Sequence, residues 1–504
     1  MQLPVSLDSK DYNRYTGSIP VVGFYVNQEL VYPFSLHTGI QDAMELKSSV
    51  SQLLAEHVSE TRYDDLPAAV IAETKRAVLD WLGSAIAGAL EPPAEMVQAV
   101  VSALGRSDEA TVFGSSRSAA ANAALANGVS SHILELDDVH KGSTLHPAAP
   151  IIPAALAVAE RNRADGKSFL LAVALGYDAA LRVGEAVNPT HYKYWHPTGT
   201  AATFGAAAAA GCLMSLDAKK MLDALGSAGT QASGLWEFNA DGAMSKHLHP
   251  GKAAFNGVLA ADLARCGFTG ATRILEGERG FFRATTESYD ENRITNGLGS
   301  NWKIEENCYK LYSCCGHTHS AVDIALDFRL GQRWTADEVL AQLDKVEIET
   351  YEPGYVIVKN MNPKTPYQAK FSLAYCVAAG LVEGLVGLEQ FTPERFGPDG
   401  VRDEKLSSLL PRIHLSVTSA ITDKYPAEWG TRMLFKTKDG RKVRLSASFP
   451  RGNPENPVST ETLEDKFRGL VVPRYSREVA EKAIEAVHSL TSCEDMAQAF
   501  NDLA

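Results

Sequence analysis

The chain has 504 residues, a formal net charge of −13 and 45% hydrophobic residues, which is long and apolar enough for two or more domains with sizeable cores. The acidic balance, with no run rich in lysine and arginine, argues against a nucleic-acid-binding protein. Seven cysteines, two of them adjacent, do not resemble a secreted disulfide framework, so a reducing, cytoplasmic location is expected.

The N-terminal segment differs in composition from the rest of the chain. Residues 1–41 are rich in Val, Tyr, Phe, Pro and Gly and have no helical period, whereas a helical pattern begins at Met44. We treat this segment as an N-terminal extension; either translation starts at Met44 or the segment is an arm that packs on a neighbour. No basic-then-apolar leader and no apolar stretch of roughly 20 residues is found, so neither a signal peptide nor a membrane span is expected.

Helical patterns dominate residues 42–308. Alanine-rich windows recur there, such as AANAALANGVSSHIL and TAATFGAAAAAGCLM, and small residues let helices pack closely. Pro67 and Pro150 stand where a first helical turn tolerates proline, and Asp217 is a candidate N-cap. This part of the chain is predicted to be an all-α domain.

The pattern changes in residues 309–452. The segments DKVEIETYE and IHLSVTS alternate apolar and polar residues, and TRMLFKTKDGRKVRLSASF predicts two strands around a turn at Asp439 and Gly440. Residues 453–504 are helical again and are expected to return to the first domain. The sequence therefore predicts a mainly α fold, with a large all-α domain built from both chain ends and a smaller α+β domain.

Histidines are concentrated in the middle of the chain. Nine of the thirteen lie between His132 and His319, and eight of these nine stand in four runs that also carry lysines or carboxylates: LELDDVHKGSTLHP, HYKYWHPTG, GAMSKHLHPGKAA and YKLYSCCGHTHSAVD. Imidazole beside ammonium or carboxylate supplies proton donors, proton acceptors and anion-binding charge. The clustering predicts an active site.

The first run combines three acids with two histidines on a loop after a helical stretch. Glu135, Asp137 and Asp138 can fix the tautomer of an imidazole and keep it basic, and His140 and His146 follow at once. The alternative is a solvated helix end with one capping histidine. Three acids and two histidines exceed what capping requires, so we favour the catalytic interpretation.

The third run brings Lys246, His247, His249 and Lys252 together before a helical stretch. Ammonium groups and exposed backbone N–H groups at a helix start make a good receptor for a carboxylate. The alternative is a basic loop paired with surface acids. In an acidic protein this basic island indicates a small anionic ligand, and Lys246 is the strongest binding candidate.

The fourth run places Lys310, His317 and His319 at the predicted join between the domains, where small ligands commonly bind. A zinc site is the alternative, but the adjacent Cys314 and Cys315 chelate awkwardly and no paired cysteine motif is present. We therefore expect no metal.

The second run places His196 before a proline at the start of an Ala-rich helix, where a histidine beside a tryptophan is more often packing than catalysis. The chain also lacks a glycine-rich phosphate loop, a Walker motif and a Gly-x-Ser-x-Gly elbow. Nucleotide-dependent and serine-nucleophile chemistry therefore have no support, and no cofactor is expected.

The chain resembles the MmgE/PrpD family in four motifs, which occur in this order: ELDDVHKGSTLHP, HPTGTAATFGAAAAAG, SKHLHPGKAAFNG and KLYSCCGHTH. Members include 2-methylcitrate dehydratase, cis-aconitate decarboxylase and an iminodisuccinate epimerase. The resemblance covers residues from about 45 to 500. It implies a large helical domain, a smaller α+β lid, a homodimer and catalysis without metal or organic cofactor.

Carried over by position, the resemblance implies that His146, His196, Lys246 and Lys310 are active-site residues, together with one acid of the Glu135 to Asp138 run. Family members often have Asp-Phe-Asp-Asp-Thr in that run. This chain departs from that pattern, because Glu135 stands in place of the outer aspartate and Val139 in place of the threonine.

The predicted reaction is that of a lyase, a dehydratase or decarboxylase, acting on a small di- or tricarboxylate such as 2-methylcitrate or cis-aconitate. His146 would move a proton next to a carboxylate while Lys246 and Lys310 bind carboxylates. The remaining assignments give a catalytic role to Glu135, Asp137, His196 and His319 and a substrate-binding role to His140 and His249.

Three alternatives stay open. The same groups could return the proton to the opposite face of the substrate, and the protein would then be an epimerase. The histidines could instead bind a metal in a hydrolase. A non-catalytic helical scaffold with incidental histidines is the third alternative, although lysines beside nearly every histidine run argue against it.

Overall fold

The computed structural model describes residues 24–26, 29–31 and 48–503. Two short strands, β1 (Phe24–Val26) and β2 (Glu29–Val31), pair antiparallel and form a unit of their own. The rest of the predicted extension 1–41, and the candidate start at Met44, lie outside the described residues.

The first two thirds of the described chain are helical. The helices are α1 (Val50–Glu60), α2 (Ala68–Gly88), α3 (Pro92–Leu104), α4 (Ala120–Ile133), α5 (Ala148–Asn162), α6 (Gly166–Val187), α7 (Ala201–Leu213), α8 (Ala218–Gly229), α9 (Phe238–Asp241), α10 (Ser245–Arg265), α11 (Phe281–Thr285) and α12 (Asn292–Thr295). Asp217 caps α8 by accepting a hydrogen bond from the backbone N–H of Lys220 (2.9 Å), which confirms that prediction. Helix α1 begins at Val50, after the N-cap Ser49.

Strands and helices alternate in the following part. They are α13 (His319–Gln332), α14 (Ala336–Gln342), β3 (Leu343–Thr350), α15 (Glu352–Val358), α16 (Pro366–Lys370), α17 (Leu373–Val382), β4 (Phe396–Gly397), β5 (Gly400–Val401), α18 (Glu404–Leu409), β6 (Ile413–Val417), α19 (Ser419–Thr422), β7 (Thr431–Thr437) and β8 (Lys442–Ala447). Two further helices, α20 (Thr460–Val471) and α21 (Arg477–His488), follow them.

Four strands form one sheet in the order β6-β3-β7-β8. Strand β6 is parallel to β3, and the other neighbours are antiparallel. The β7–β8 hairpin turns at Gly440, whose φ of +88° suits glycine. The predicted strands and hairpin are therefore confirmed.

The buried apolar residues form two large clusters. One draws on residues 50–309 and again on residues 463–503, and the other lies within residues 312–435. The mainly α fold class with a smaller α+β part is confirmed. In the part of the chain that the structure describes, no helix is both long and apolar enough to cross a membrane.

Small residues bring α4 and α10 close together. A Cβ atom on Gly128 would lie 2.8 Å from the Cα of Gly251, and one on Gly251 would lie 2.5 Å from the carbonyl oxygen of Leu125. Larger side chains would push these two helices apart. This crossing brings the C-terminal end of α4 toward the N-terminal end of α10, and both ends carry histidines and charged residues.

Candidate active site

The loop after α4 turns sharply at its first residues. The carbonyl oxygen of Leu134 accepts hydrogen bonds from Ser313 Oγ (2.6 Å) and from Lys370 Nζ (3.0 Å). Glu135 follows with a φ of +57°, a left-handed conformation that is uncommon for a residue with a side chain. The C-terminal part of the chain thereby holds the turn that buries the carboxylate of Glu135.

Glu135 lies between two lysines. Lys246 Nζ donates a hydrogen bond to Oε1, and Lys310 Nζ lies 3.4 Å from Oε2. All three side chains are at most 3% exposed. Burial would raise the pKa of Glu135, but the two ammonium groups hold it well below its usual value. The three groups form a buried, ionised cluster with one surplus positive charge.

Asp137 lies between two imidazoles. His132 Nδ1 lies 2.7 Å from Asp137 Oδ2, and His146 Nδ1 lies 3.4 Å from the same oxygen. His146 Nδ1 is also 2.6 Å from the carbonyl oxygen of Asp138. Because a carbonyl only accepts, Nδ1 of His146 carries the hydrogen and Nε2 has the free lone pair. Burial lowers the pKa of His146 to about 3, so the ring is neutral.

Asp138 holds the loop in place through hydrogen bonds. Its carboxylate accepts hydrogen bonds from the backbone N–H of Ala148 (3.0 Å), from Tyr177 OH (2.7 Å) and from Asn307 Nδ2 (2.8 Å). Burial raises its pKa to about 7. The acids of this run therefore differ in place: Glu135 contacts the lysines, Asp137 contacts the imidazoles, and Asp138 fixes the loop.

His196 joins this group from the turn before α7. Its Nδ1 lies 3.0 Å from Nδ1 of His249, so one ring donates a hydrogen bond to the other. The ring centres of His196 and His146 are 6.3 Å apart. Burial lowers the pKa of His249 to about 4 and that of His196 well below its usual value, so both rings are neutral. His249 lies behind His196 and supports it.

These groups surround a small cavity of about 20 Å³. Its lining residues are Glu135, Val139, Thr144, His146, Tyr192, His196, Trp236, Lys246, Cys315, Gly316, His317, Ile357, Phe371 and Trp429. A volume of this size holds about one water molecule.

Two predicted site residues lie elsewhere. His140 contacts Ser143 Oγ (2.9 Å) and Glu306 Oε2 (3.2 Å) and lines a second cavity of about 540 Å³. Its side chain points away from the small cavity because the loop folds back on itself, with the backbones of His140 and Leu145 paired. His319 Nε2 lies 3.3 Å from the carbonyl oxygen of Cys314, and the ring does not line the small cavity. The structure does not bring these two side chains to the other candidates.

The predicted site residues omitted several groups around the cavity. His317 Nδ1 lies 2.6 Å from Tyr351 OH, and its ring packs at a tilt against Trp429 with centres 4.4 Å apart. His132 and Tyr192 were also omitted. The histidines and Tyr192 belong to the histidine-rich part of the sequence, so a signal was present, but no spacing rule distinguishes cavity-facing members from the others.

Among the residues that the structure describes, two groups of side chains have the donor types of a metal site. The first is His132, Asp137 and His146, and the second is His140, Glu185 and Glu306. In the first group the 2.7 Å contact is the length of a hydrogen bond. In the second group both carboxylates pair with the ammonium group of Lys303, at 3.0 and 2.9 Å. Hydrogen bonds and ion pairs therefore join the members of both groups.

Comparison with known proteins agrees with the resemblance of the four sequence motifs to the MmgE/PrpD family. Residues 52–293 match the MmgE/PrpD N-terminal domain, and residues 312–492 match the MmgE/PrpD C-terminal domain. A cis-aconitate decarboxylase-like protein of Aspergillus oryzae is 27% identical over 90% of this chain and 96% of its own length. The cis-aconitate decarboxylase of Aspergillus terreus is 28% identical (84% of this chain, 89% of its own), and the human cis-aconitate decarboxylase is 26% identical (90% and 94%).

Proposed function

Since the chain belongs to the MmgE/PrpD family, we propose that it is a lyase that decarboxylates or dehydrates a small di- or tricarboxylate without a cofactor. The relatives named for cis-aconitate decarboxylation make cis-aconitate the first substrate to test. One observation carries the proposal. Two buried lysines share Glu135, and Glu135 and Lys246 line the same cavity as the neutral imidazole of His146.

The lysines supply the binding charge. Lys246 and Lys310 carry two positive charges against the single carboxylate of Glu135, so the cluster favours an added carboxylate. Buried charges interact more strongly than exposed ones because little water screens them. We place a substrate carboxylate against Lys246, which lines the cavity, with Lys310 behind Glu135.

His146 supplies the proton-transfer group. In a dehydration its Nε2 lone pair accepts a proton from the carbon next to a carboxylate. The electron pair of that bond then expels the hydroxyl group, and the protonated ring gives its proton to the hydroxyl group, which leaves as water. In a decarboxylation the bond to the departing carbon dioxide breaks, its electron pair stays on the substrate, and that carbon takes up a proton from water, relayed through Nε2 of His146. Asp137 stabilises the positive charge that the ring acquires in either reaction.

A substrate panel followed by NMR tests the function. Citrate, 2-methylcitrate, cis-aconitate and iminodisuccinate are incubated with the purified protein in water and in deuterium oxide. We expect a new product and carbon dioxide from cis-aconitate, or water loss from a hydroxylated acid. Loss of a proton signal in deuterium oxide without a new product identifies an epimerase instead. Activity that disappears with exhaustive chelation would favour the metal-dependent hydrolase.

We propose that residues 309–452 act as a lid over this site. Both parts of the chain line the small cavity, with His146 and Lys246 from one and His317 and Phe371 from the other, and the cavity is too small for a tricarboxylate. The helical domain would then comprise residues 42–308 and 453–504. Hydrogen exchange with and without cis-aconitate tests this division, because closure on a ligand should protect residues near the cavity from both parts.

We also propose a homodimer in the cytoplasm. Helix α3 exposes Met96, Val100 and Leu104, at 55%, 57% and 64%, and this spacing places them along one face of the helix. Exposed apolar stripes of this kind mark protein interfaces. Light scattering should show a dimer that Val100→Glu converts to a monomer. All seven cysteines are free, which suits a reducing compartment, and a fluorescent fusion would locate the protein.

A further inference from the structure

His317 is a second imidazole at the cavity, and its hydrogen bonding differs from that of His146. Its Nδ1 lies 2.6 Å from the hydroxyl oxygen of Tyr351, and the tyrosine is fully buried. Among the described residues, this nitrogen is the one hydrogen-bond partner of that hydroxyl group. Buried hydroxyl groups are almost always hydrogen-bonded. The Tyr351 hydroxyl therefore donates to Nδ1, and the ring hydrogen of His317 is on Nε2.

The two imidazoles thus have opposite tautomers. His146 carries its hydrogen on Nδ1, bound to the carbonyl oxygen of Asp138, and has a bare Nε2. His317 has its Nδ1 occupied by Tyr351, so Nε2–H is the group left for a ligand in the cavity that the ring lines. The same cavity therefore has a proton acceptor from one part of the chain and a neutral hydrogen-bond donor from the other.

The ring of His317 is held from several sides. Trp429 packs against it with the ring planes tilted by 33°, and Tyr351 lies against its edge with ring centres 5.6 Å apart. A Cβ atom on Gly316 would lie 3.0 Å from Trp429, so the backbone approaches the tryptophan closely here. A donor fixed in this way needs little rearrangement when charge develops on a bound substrate.

We propose that His317 is a further catalytic residue, which donates an Nε2–H hydrogen bond to the substrate carboxylate that gains negative charge during the reaction. Tyr351 is its positioning residue because it selects the tautomer. This inference rests on the proposed function and adds the group that stabilises the charged transition state. The chemical class recognised is a carboxylate conjugated to the carbon that loses a proton or carbon dioxide.

A neutral donor suits this task. Burial, together with the positive charge of Lys310, lowers the pKa of His317 to about 3, so the ring is not an imidazolium at neutral pH. A neutral imidazole strengthens its hydrogen bond as the acceptor gains charge and keeps its own proton. Burial also raises the pKa of Tyr351 well above its usual value, so the hydroxyl group keeps the hydrogen that fixes the tautomer.

Three variants test the role through cis-aconitate turnover. His317→Leu removes the donor and should lower kcat by about 100-fold or more, the loss that follows removal of one such donor. His317→Gln keeps an amide N–H near the position of Nε2 and should restore much of the rate. Tyr351→Phe keeps the ring but frees its tautomer, so kcat should fall while KM changes little. Circular dichroism and thermal unfolding confirm that each variant is folded.

A measurement without turnover supplies the structural check. Nitrogen-15 NMR of the full-length protein with labelled histidine should show that His317 has a protonated Nε2 and a bare Nδ1, and this pattern should change in Tyr351→Phe. A protonated Nδ1 in the wild-type protein would overturn the inference. Wild-type-like kcat in folded His317→Leu would overturn it too. A wild-type protein that turns over no carboxylate would instead overturn the proposed function, so the two failures are distinguishable.

Discussion

The loop from His140 to His146 separates two cavities that differ in size and in chemistry. On one side, a cavity of about 20 Å³ is bounded by Glu135, Lys246 and His146, whose side chains are all largely buried. On the other side, a cavity of about 540 Å³ is bounded by ion pairs that include partly exposed acids, such as Glu306, whose side chain is 50% exposed. Charge that is buried and paired interacts strongly, whereas exposed pairs are screened by water. We therefore place the proposed chemistry in the smaller cavity.

The first prediction contrasts one lysine from each cavity. Lys246→Met removes the buried ammonium group at the small cavity and should lower kcat/KM for cis-aconitate by about 100- to 1,000-fold. Lys141→Met, the matched control, removes an ammonium group that pairs with Glu455 (2.6 Å) at the large cavity. The control should stay within about threefold of wild type, since such partly exposed pairs contribute little.

Steady-state kinetics and thermal unfolding of both lysine variants check this contrast. Lys246→Met leaves Glu135 paired with Lys310 alone, so a modest loss of stability is expected besides the loss of rate. Equal rate losses in the two variants would show that the two cavities do not differ in the way described.

The second prediction concerns the support of Asp137. His132 is its closest donor, and the other carboxylate oxygen of Asp137 has no hydrogen-bond partner among the described residues. His132→Leu should therefore free this carboxylate and misalign His146, with a loss of about 10- to 100-fold in kcat, as for other residues that orient catalytic groups.

His132→Asn supplies the control because its amide N–H lies near the position of Nδ1. It should recover most of the rate that His132→Leu loses, at similar thermal stability. The same loss in both variants would indicate that His132 acts through packing and does not orient Asp137.

Much of the fold was predictable because its signals are local. The β7–β8 hairpin and the cap at Asp217 follow from neighbouring residues, and both are confirmed. The pairing of Glu135 with Lys246 joins residues 111 positions apart and depends on the close crossing of α4 and α10. The histidine-rich runs indicated the region of the site, although the roles of its residues stay predictions.

Other features of the site depend on contacts that the sequence pattern does not encode. His140 and His146 are equally prominent in one run, but the fold-back of the loop sends the first to the large cavity. His317 and His319 are two residues apart, and only His317 faces Tyr351 and the cavity. Which of two neighbouring histidines faces a cavity depends on long-range packing, so spacing alone could not separate them.

The last and smallest expected effect is that of His140→Gln. This change removes a hydrogen bond to Glu306, and kcat should stay within about threefold of wild type because the ring lies outside the small cavity. His140 and Lys303 lower the pKa of Glu306 to about 2 against the opposing effect of burial. This carboxylate therefore stabilises the fold at neutral pH, and that contribution is lost as the pH falls from about 5 toward 2. Urea unfolding should show a loss of about 0.5 kcal/mol or less at pH 7 that shrinks on acidification. A loss of activity as large as that of Lys246→Met would place His140 in the catalytic site and reverse the assignment of the two cavities.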